Sequence, residues 1–241
     1  MRTDAARNRA HTVALFRDQE EPTMPHRHPH ISEHDLFKSS GSEEAFDSLE
    51  AVREAVDACE RCPLYQFATQ AVFGEGPERA PLMFVGEQPG DQEDIAGRPF
   101  VGPAGKVFDA ALIEAGIERD RVYVTNAVKH FKFAPRGKKR LHQKPNAGEI
   151  AACRSWLNLE RSFVRPQVIV ALGATAVQSL VGSRATISRL RDAPTTLDDG
   201  TLLCATIHPS FLLRMPDRQR SAEERARFVA DLKAARKLAL H

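Results

Sequence analysis

Cysteines and one histidine are the residues of this sequence whose types and spacing best suit metal chemistry. Cys59 and Cys62 form a C-x-x-C pair, which is typical of a redox pair, half of a zinc site or part of an iron–sulfur site. Cys153 lies on a predicted helix, and His130 lies at the end of a predicted strand. Cys204 lies among apolar residues in another predicted strand, and we interpret it as a small buried hydrophobe. By residue type alone, three Cys and one His favour zinc slightly over an iron–sulfur cluster.

The segment 129–144, KHFKFAPRGKKRLHQK, concentrates positive charge. It contains seven Lys or Arg residues, two His and no acid. The whole chain has 34 basic and 32 acidic residues, a net charge of +2, so without the segment 27 basic residues would stand against 32 acidic ones. The pattern favours phosphate contact, which carries no sequence information. A plain surface charge run is the simplest alternative, but it does not explain why the charge follows a strand end and includes His130 and His142.

Apolar strands alternate with helices over most of the chain. Strands are predicted at 81–87, 121–128, 167–173 and 201–210, and helices at 42–62, 105–117, 145–163, 174–182 and 221–240. This alternation predicts βαβ units, and therefore an α/β fold with three layers, α/β/α, and a central parallel sheet of about four strands. Ligands of such sheets bind beyond the carboxyl ends of the strands. The polar strand-end sequences GEQPGDQED, TNAVKH, ALGAT and TIHPS are therefore the candidate site.

Residues 1–41 lack a sustained helix or strand period and are rich in His, Pro, Arg and acids. We interpret them as a disordered, His-rich tail before a single domain at 42–241. Four tail histidines could bind a metal, but a solvated tail is favoured: His26, His28, His30 and His34. No apolar run approaches the roughly 20 residues that span a bilayer, and the N-terminus lacks the apolar core of a secretory signal. We therefore expect a cytoplasmic protein with no membrane partner.

Several motifs occur in an order and spacing that resemble one known family. GEQPG, GRPFVGPAGKVFDAALIEAG, VYVTNAVKHFKF, ACRSWL, ALGATA and HPS look like the iron–sulfur uracil-DNA glycosylases of family 4, over roughly residues 43–240. Within that group, KHFKF followed by a basic loop ending in His resembles the uracil-DNA glycosylase X class, which has a KRRIH-type loop. This chain reads KKRLH over 138–142, with Lys139 in place of Arg and Leu141 in place of Ile.

The resemblance implies the uracil-DNA glycosylase fold and a [4Fe–4S] cluster rather than zinc. Ordinary family-4 members have Cys at the position of His130, so the implied ligands are Cys59, Cys62, His130 and Cys153. An imidazole in place of a thiolate removes a negative charge, and we expect it to raise the cluster potential, as in Rieske centres. The implied role is structural, because the cluster would join the first helix to the basic segment.

The resemblance also implies a pocket for an extruded uracil, because a glycosylase cannot reach the glycosidic bond of a stacked nucleotide. Phe100 would stack on the base, and Asn126 would pair with its O4 and N3–H, a pattern that cytosine reverses. His208 would stabilise negative charge at O2. Glu87 would stabilise an oxocarbenium-like sugar, or orient or deprotonate a nucleophile. Further substrate contacts are expected from Gln88 (to the base or the loop), from Asp91 in the pocket, and, to phosphate, from Lys138, Lys139, Arg140 and Arg214.

His142 is the nucleophile that the resemblance implies. A neutral imidazole is required, and a pKa near 6.5 makes it the major form at pH 7. We expect Lys138, Lys139 and Arg140 to lower that pKa further. The predicted protein is a monomer that excises uracil from single-stranded or flipped-out DNA and stays linked to the sugar C1′ through His142, in a single turnover.

Two alternatives remain open at this point. A conventional family-4 glycosylase would use water as the nucleophile and turn over repeatedly. A non-catalytic iron–sulfur module would bind DNA that lacks uracil equally well and leave any uracil in place.

Overall fold

The computed structural model describes residues 45–182 and 186–240. The strands are β1 Leu82–Gly86, β2 Tyr123–Asn126, β3 Phe133–Arg136, β4 Lys139–His142, β5 Val168–Leu172, β6 Thr195–Thr196 and β7 Leu202–Thr206. The helices are α1 Leu49–Asp57, α2 Asp91–Ala96, α3 Pro103–Ala115, α4 Ala147–Val164, α5 Ala174–Val181, α6 Ile187–Arg191, α7 Pro209–Arg214 and α8 Arg218–Leu238. Short 3₁₀ turns span Pro63–Gln66 and Arg119–Arg121.

Part of what the sequence predicts lies outside these residues. The tail predicted at 1–41, with its four histidines, is not among the described residues, and the single domain predicted at 42–241 stays a prediction. Within the described ranges, no helix is long and apolar enough to cross a membrane.

Five strands form the central sheet in the order β2-β1-β5-β7-β6. The first four are parallel, and β6 is an antiparallel edge strand of two residues. All residues of β1, β2 and β5 are buried, as expected for a parallel sheet covered on both faces. The predicted three-layer α/β fold is confirmed. The fifth strand was not predicted, because two residues are too few to show an apolar pattern.

Two hydrophobic cores lie on opposite faces of the sheet. Met83 and Val85 of β1 face a core that includes α1, α4 and α5, whereas Leu82 and Phe84 face a core that includes α3, α7 and α8. Each fully buried Leu, Val or Phe side chain stabilises the fold by about 1.5–3 kcal/mol. The sheet is thereby held rigidly between helices, so its carboxyl edge presents side chains from fixed positions.

The first helix is shorter than predicted. It begins after Ser48, whose side chain accepts a hydrogen bond from the backbone N–H of Ala51 at 3.1 Å, and it ends at Asp57. Cys59 and Cys62 therefore lie in the loop that follows, ahead of the 3₁₀ turn that starts at Pro63. The C-x-x-C pair is presented by this loop and not by a helix.

The basic segment forms a β-hairpin, where the sequence predicted a loop. β3 and β4 pair antiparallel, with Phe133 opposite His142 and Arg136 opposite Lys139. Gly137 has a φ of 59° in the two-residue turn, which favours glycine at that position. The hairpin places His142 at its base, beside the protein body, and Lys138 and Lys139 at its tip.

Candidate active site

The carboxyl ends of the parallel strands border two adjoining cavities. Their volumes are about 350 Å³ and about 460 Å³. Glu87 follows β1, Asn126 ends β2, and both line one or other cavity. The residues that line both cavities are Gln88, His142, His208, Ser210 and Arg214. The structure therefore brings together side chains from strand ends and from the hairpin that are far apart in the sequence.

The smaller cavity has the composition of a pocket for a planar base. Phe100, Asn126 and His208 line it, and the Phe100 and His208 ring centroids are 5.8 Å apart. Gly86 makes this arrangement possible, because a Cβ there would lie 2.3 Å from Asn126 Oδ1 and 2.7 Å from the Phe100 ring. The structure thus places the predicted stacking residue beside the predicted base-reading amide.

Phe100 is held in an unusual backbone conformation, with a φ of 57°. Such a conformation costs free energy in a non-glycine residue and persists where neighbouring groups enforce it. Buried Glu93 accepts hydrogen bonds from the backbone N–H groups of Gly90, at 3.2 Å, and Gly102, at 2.8 Å, and so ties both ends of the loop together. Gly105 leaves room for the Phe100 carbonyl, which would lie 1.7 Å from a Cβ there. Sequence reasoning missed Glu93, because the short helix α2 that carries it in its first turn was not predicted.

His208 is arranged as a neutral hydrogen-bond donor. It caps α7, and its Nδ1 accepts from the backbone N–H of Ser210 at 3.2 Å. The proton of the neutral ring is therefore on Nε2. Burial lowers the pKa of His208 to about 4, with smaller contributions in the same direction from Arg214 and His142. At neutral pH this ring can donate to a developing oxyanion without carrying a charge of its own.

Glu87 bridges two side chains in the larger cavity. Its Oε1 lies 3.4 Å from His142 Nε2, and its Oε2 accepts a hydrogen bond from Thr175 Oγ1. The first contact places the Glu87 carboxylate beside the imidazole of His142, and its role there stays a prediction. Thr175 was not singled out in the sequence, although it lies within the strand-end sequence ALGAT.

Gln88 contacts the hairpin. Its Oε1 accepts from the backbone N–H of Lys132 at 3.1 Å, and its Nε2 donates to the carbonyls of Lys132, at 3.2 Å, and Gln143, at 2.9 Å. The same Nε2 lies 3.0 Å from His142 Nε2. Of the two contacts predicted for Gln88, base or loop, the structure shows the loop. The amide thus fixes the base of the hairpin and with it the position of His142.

His142 is half-exposed, with 49% of its side chain accessible. Partial burial lowers its pKa, Glu87 raises it, and Arg214 lowers it, so that the net shift is downward. The direction agrees with the sequence-based expectation, but the causes differ. Lys138, Lys139 and Arg140 are not among them; the cation that acts on the ring is Arg214.

Arg140 is bound to the protein and not free to bind phosphate. Its Nε donates to Asp91 Oδ1 at 2.6 Å and its Nη1 to Asp94 Oδ2 at 2.5 Å. Its guanidinium carbon also lies 5.4 Å and 5.2 Å from the ring centroids of Phe131 and Phe133. The prediction that Arg140 contacts phosphate is therefore corrected, because this side chain anchors the hairpin to Asp91 and Asp94. Asp91 lines the base cavity as predicted, but its carboxylate is the partner of Arg140.

The other basic residues of the segment divide into internal and exposed groups. Lys132 Nζ pairs with Glu149 Oε2 at 2.9 Å, and Lys129 is fully buried, so neither is a free phosphate ligand. Four of the Lys and Arg side chains of the segment are exposed: Arg136, Lys138, Lys139 and Lys144. Arg214 is exposed at the rim of both cavities. The cationic surface beside the site is thus smaller than the sequence suggested.

Lys129 forms a buried ion pair with Glu160 of α4, with Nζ and Oε2 2.5 Å apart. Nζ also donates to Thr125 Oγ1 and to the carbonyl oxygen of Asn126, each at 2.8 Å. Glu160 accepts further from the Tyr123 hydroxyl at 3.1 Å. All three ammonium hydrogens therefore have acceptors, which is the condition under which a buried charge is tolerated. The network ties α4 to the end of the strand that carries Asn126.

Cys59, Cys62 and Cys153 are buried free thiols. Trp156 Nε1–H donates to Cys59 Sγ at 3.1 Å, and the backbone N–H of Lys129 donates to Cys153 Sγ at 3.3 Å. Burial raises the pKa of the Cys153 thiol to about 12, and Cys62 and Cys59 contribute in the same direction. These buried thiols need a compensating positive charge to act as thiolates.

His130 completes a donor set that fits an iron–sulfur cluster. Its ring is buried, and its Nδ1 has no hydrogen-bond partner among the described residues. An orphaned buried nitrogen is costly unless it binds something. The same residues do not converge on one point, since the described part of the chain contains no group of three or more His, Cys, Asp or Glu side chains that could hold a single metal ion. A cluster does not require such convergence, because each ligand binds its own iron atom.

Cys204 lies in β7, as predicted, and is half-buried. Burial raises the pKa of its thiol to about 11. This agrees with its interpretation as a small hydrophobe.

Comparison with known proteins gives consistent matches over this region. Residues 73–233 match the family described as the uracil DNA glycosylase superfamily. The chain is 40% identical over 189 residues to a type-4 uracil-DNA glycosylase of Thermotoga maritima, covering 78% of this chain and 93% of that protein. It is 37% identical over 202 residues to a type-4 uracil-DNA glycosylase of Sulfurisphaera tokodaii, covering 80% and 86%. A type-5 uracil-DNA glycosylase of Pyrobaculum aerophilum is 30% identical over 173 residues, covering 62% and 72%.

Proposed function

The chain belongs to the uracil-DNA glycosylase superfamily, and from this premise we propose that it excises uracil from DNA and becomes covalently attached to the sugar C1′ through His142. One observation carries the covalent part. His142 lies between the two cavities, with its ring directed at Glu87 and its hairpin fixed by Gln88 and Arg140. A side chain held so firmly at the mouth of a base pocket is suited to attack the atom that the base leaves.

The proposed reaction begins with a flipped-out uridine whose base enters the smaller cavity. Phe100 stacks on the base, and the Asn126 amide pairs with O4 and N3–H. The bond between C1′ and N1 breaks, and its electron pair moves onto the uracil. His208 donates its Nε2–H to O2 and stabilises the resulting anion. Glu87 offsets the positive charge that develops on the sugar.

His142 then supplies the new bond. The lone pair of its unprotonated ring nitrogen bonds to C1′, which leaves an alkylated imidazolium. The imidazolium loses its remaining ring proton to water, and the uracil anion takes up a proton, so that charge and protons balance. The product, an N-glycosidic link to imidazole, has no adjacent group arranged to hydrolyse it. The protein would therefore act once and remain on the abasic sugar.

Denaturing electrophoresis tests the covalent step. We expect wild-type protein, incubated with single-stranded DNA that contains one uracil, to give a slower band that survives SDS. The same oligonucleotide with thymine should give no such band, and His142→Ala should lose it with uracil. Free abasic DNA produced over many turnovers, with no shifted band, would instead identify a hydrolytic glycosylase. Unchanged uracil would identify a non-catalytic DNA-binding module.

We also propose that Cys59, Cys62, His130 and Cys153 hold a [4Fe–4S] cluster. Three buried thiols support this assignment, and two of them, Cys59 and Cys153, receive N–H donors. The buried imidazole Nδ1 of His130, which has no partner among the described residues, supports it as well. The cluster would join the loop after α1, the start of the hairpin segment and α4. The purified protein should be brown, with iron and sulfide in equal amounts, and Cys59→Ala should lose the colour and unfold at lower denaturant. Colourless, fully active protein with stoichiometric zinc would contradict this assignment.

The exposed cations beside the cavities are proposed to bind the DNA backbone. They are Arg136, Lys138, Lys139, Lys144 and Arg214. Such contacts carry no sequence information, so binding should depend on salt and little on the bases that flank uracil. Replacing Lys138 by Ala should reduce the slope of log binding constant against log salt by about 0.7 for single-stranded DNA.

The proposed setting is the cytoplasm, and the proposed state is a monomer. The free cysteines fit a reducing compartment. One chain supplies every part of the proposed site, so no second copy is required. Size-exclusion chromatography with light scattering measures the oligomeric state directly.

A further inference from the structure

Thr175 is a buried residue whose hydroxyl lies beside the reacting groups but has no role in the proposed reaction. It is the second residue of α5 and is fully buried. No turn of α5 precedes this residue, so its own helix offers the hydroxyl no carbonyl of an earlier turn. Thr175 Oγ1 donates to Glu87 Oε2, across 88 positions of sequence. The hydroxyl therefore serves the strand-end carboxylate and not its own helix.

The hydrogen bond from Thr175 affects His142 because Glu87 contacts both residues. One carboxylate oxygen receives the Thr175 hydroxyl, and the other lies 3.4 Å from His142 Nε2. A carboxylate held at one oxygen can rotate little, so its second oxygen stays directed at the imidazole. Thr175, Glu87 and His142 thus form a linear chain, with the reacting group at one end.

The type of residue at position 175 suits this role. The β-branch restricts χ1, so that the hydroxyl and the methyl have few allowed directions. Gly173, which precedes α5, has a φ of 97°, and a Cβ there would lie 3.2 Å from the Cβ of His208. The turn between β5 and α5 therefore brings the helix, and Thr175 with it, close to both functional strand ends.

We propose that Thr175 is a positioning residue that holds Glu87 in the orientation in which it acts on His142. The inference rests on the proposed function and deepens it, because it adds a third member to the group that prepares the nucleophile. It follows the general pattern in which a base or nucleophile is oriented by a second group, which is itself fixed by a third.

The first test compares two substitutions at position 175. Thr175→Val keeps the shape and removes the hydroxyl, whereas Thr175→Ser keeps the hydroxyl. We expect Thr175→Val to slow single-turnover adduct formation by roughly tenfold to a hundredfold, the usual effect of losing a hydrogen bond to a charged group. Thr175→Ser should stay within about threefold of wild type. Ser179→Ala is the matched control, because Ser179 is buried in the same helix and its hydroxyl donates to the Ala176 carbonyl of that helix.

The second test separates positioning from mere structural support. If Thr175 acts through Glu87, Thr175→Val should have little further effect in a Glu87→Ala background. The pH midpoint of adduct formation should also fall in Thr175→Val, since Glu87 raises the pKa of His142 when it faces the ring. An equal loss of rate in both backgrounds, with an unchanged midpoint, would overturn the proposal.

The two proposals can fail separately. If the wild-type protein releases uracil repeatedly and forms no adduct, the covalent function fails. The comparison of Thr175→Val with Thr175→Ser then continues on the rate of uracil release, and equal rates for both variants and wild type would overturn the positioning role alone.

Discussion

Two histidines of the site are both kept neutral, but for different purposes. His208 has its Nδ1 occupied by the backbone of Ser210, so its remaining proton is available to a base oxygen. His142 is directed at Glu87 and would use a lone pair. Arg214 lowers the pKa of both rings. One exposed guanidinium therefore favours the required protonation state at both ends of the reaction.

The dependence of adduct formation on pH follows from these charges. In the proposed covalent reaction neutral imidazole is the reactive form, so the rate should rise with pH up to the pKa of His142 and then stay level. Because that pKa is lowered, the midpoint should lie below about 6.5. Arg214→Gln removes a positive charge that disfavours imidazolium, so the midpoint should move up. Single-turnover rates measured across pH give the midpoint.

A second variant that also loses one arginine charge shows whether the midpoint responds to Arg214 itself or to the net charge of the protein. Arg121→Gln removes an exposed arginine that precedes β2, at the opposite edge of the sheet, and should leave the midpoint in place. A midpoint that does not move, or moves down, in Arg214→Gln would contradict the assignment of this residue.

The hairpin β3–β4 is the element on which the covalent proposal depends. Gln88 holds its base through three backbone contacts, and Arg140 holds its middle through Asp91 and Asp94. Arg140 and His142 are two residues apart on one strand, so both side chains lie on the same face. Arg140 and the proposed nucleophile His142 therefore lie together toward the body of the protein, which leaves the lysines at the tip exposed to solvent or DNA.

The buried pair of Lys129 and Glu160 joins β2 to α4, and its removal has a predictable cost. Lys129→Met leaves a buried carboxylate without its cation, which should lower the free energy of unfolding by about 3–5 kcal/mol. Lys129→Met combined with Glu160→Gln removes both charges and should recover part of that loss. Chemical denaturation measures each value. A single variant within about 1 kcal/mol of wild type would show that the network does not hold these elements together.

At the scale of the whole molecule, the layered fold was predictable because long apolar strands and helices alternate. The carboxyl-edge location of the site followed from that topology, and the polar strand ends supplied Glu87, Asn126 and His208. The hairpin and the helices α2, α6 and α7 were not predicted, because segments of four to six residues show no clear period.

Individual roles were harder to predict where they depend on distant partners. Arg140 looked like a phosphate ligand until its carboxylate partner was placed 49 positions away, and Lys129 looked exposed until Glu160 was placed 31 positions away. Thr175 lies in the polar strand-end sequence ALGAT, but nothing local singles it out, since its partner Glu87 follows β1, 88 positions away. Charge and residue type predict that a group is polar, whereas only tertiary structure decides which partner it takes.

The stoichiometry of uracil release tests the central claim most directly. Protein is mixed with a large excess of single-stranded DNA that contains one uracil, and free uracil is counted against protein chains until release stops. A single-turnover protein should release about one uracil per chain, with each released base matched by one chain bound covalently to DNA and with no covalent attachment by His142→Ala. Continued release far beyond one uracil per chain, with no DNA attached to protein, would contradict the account.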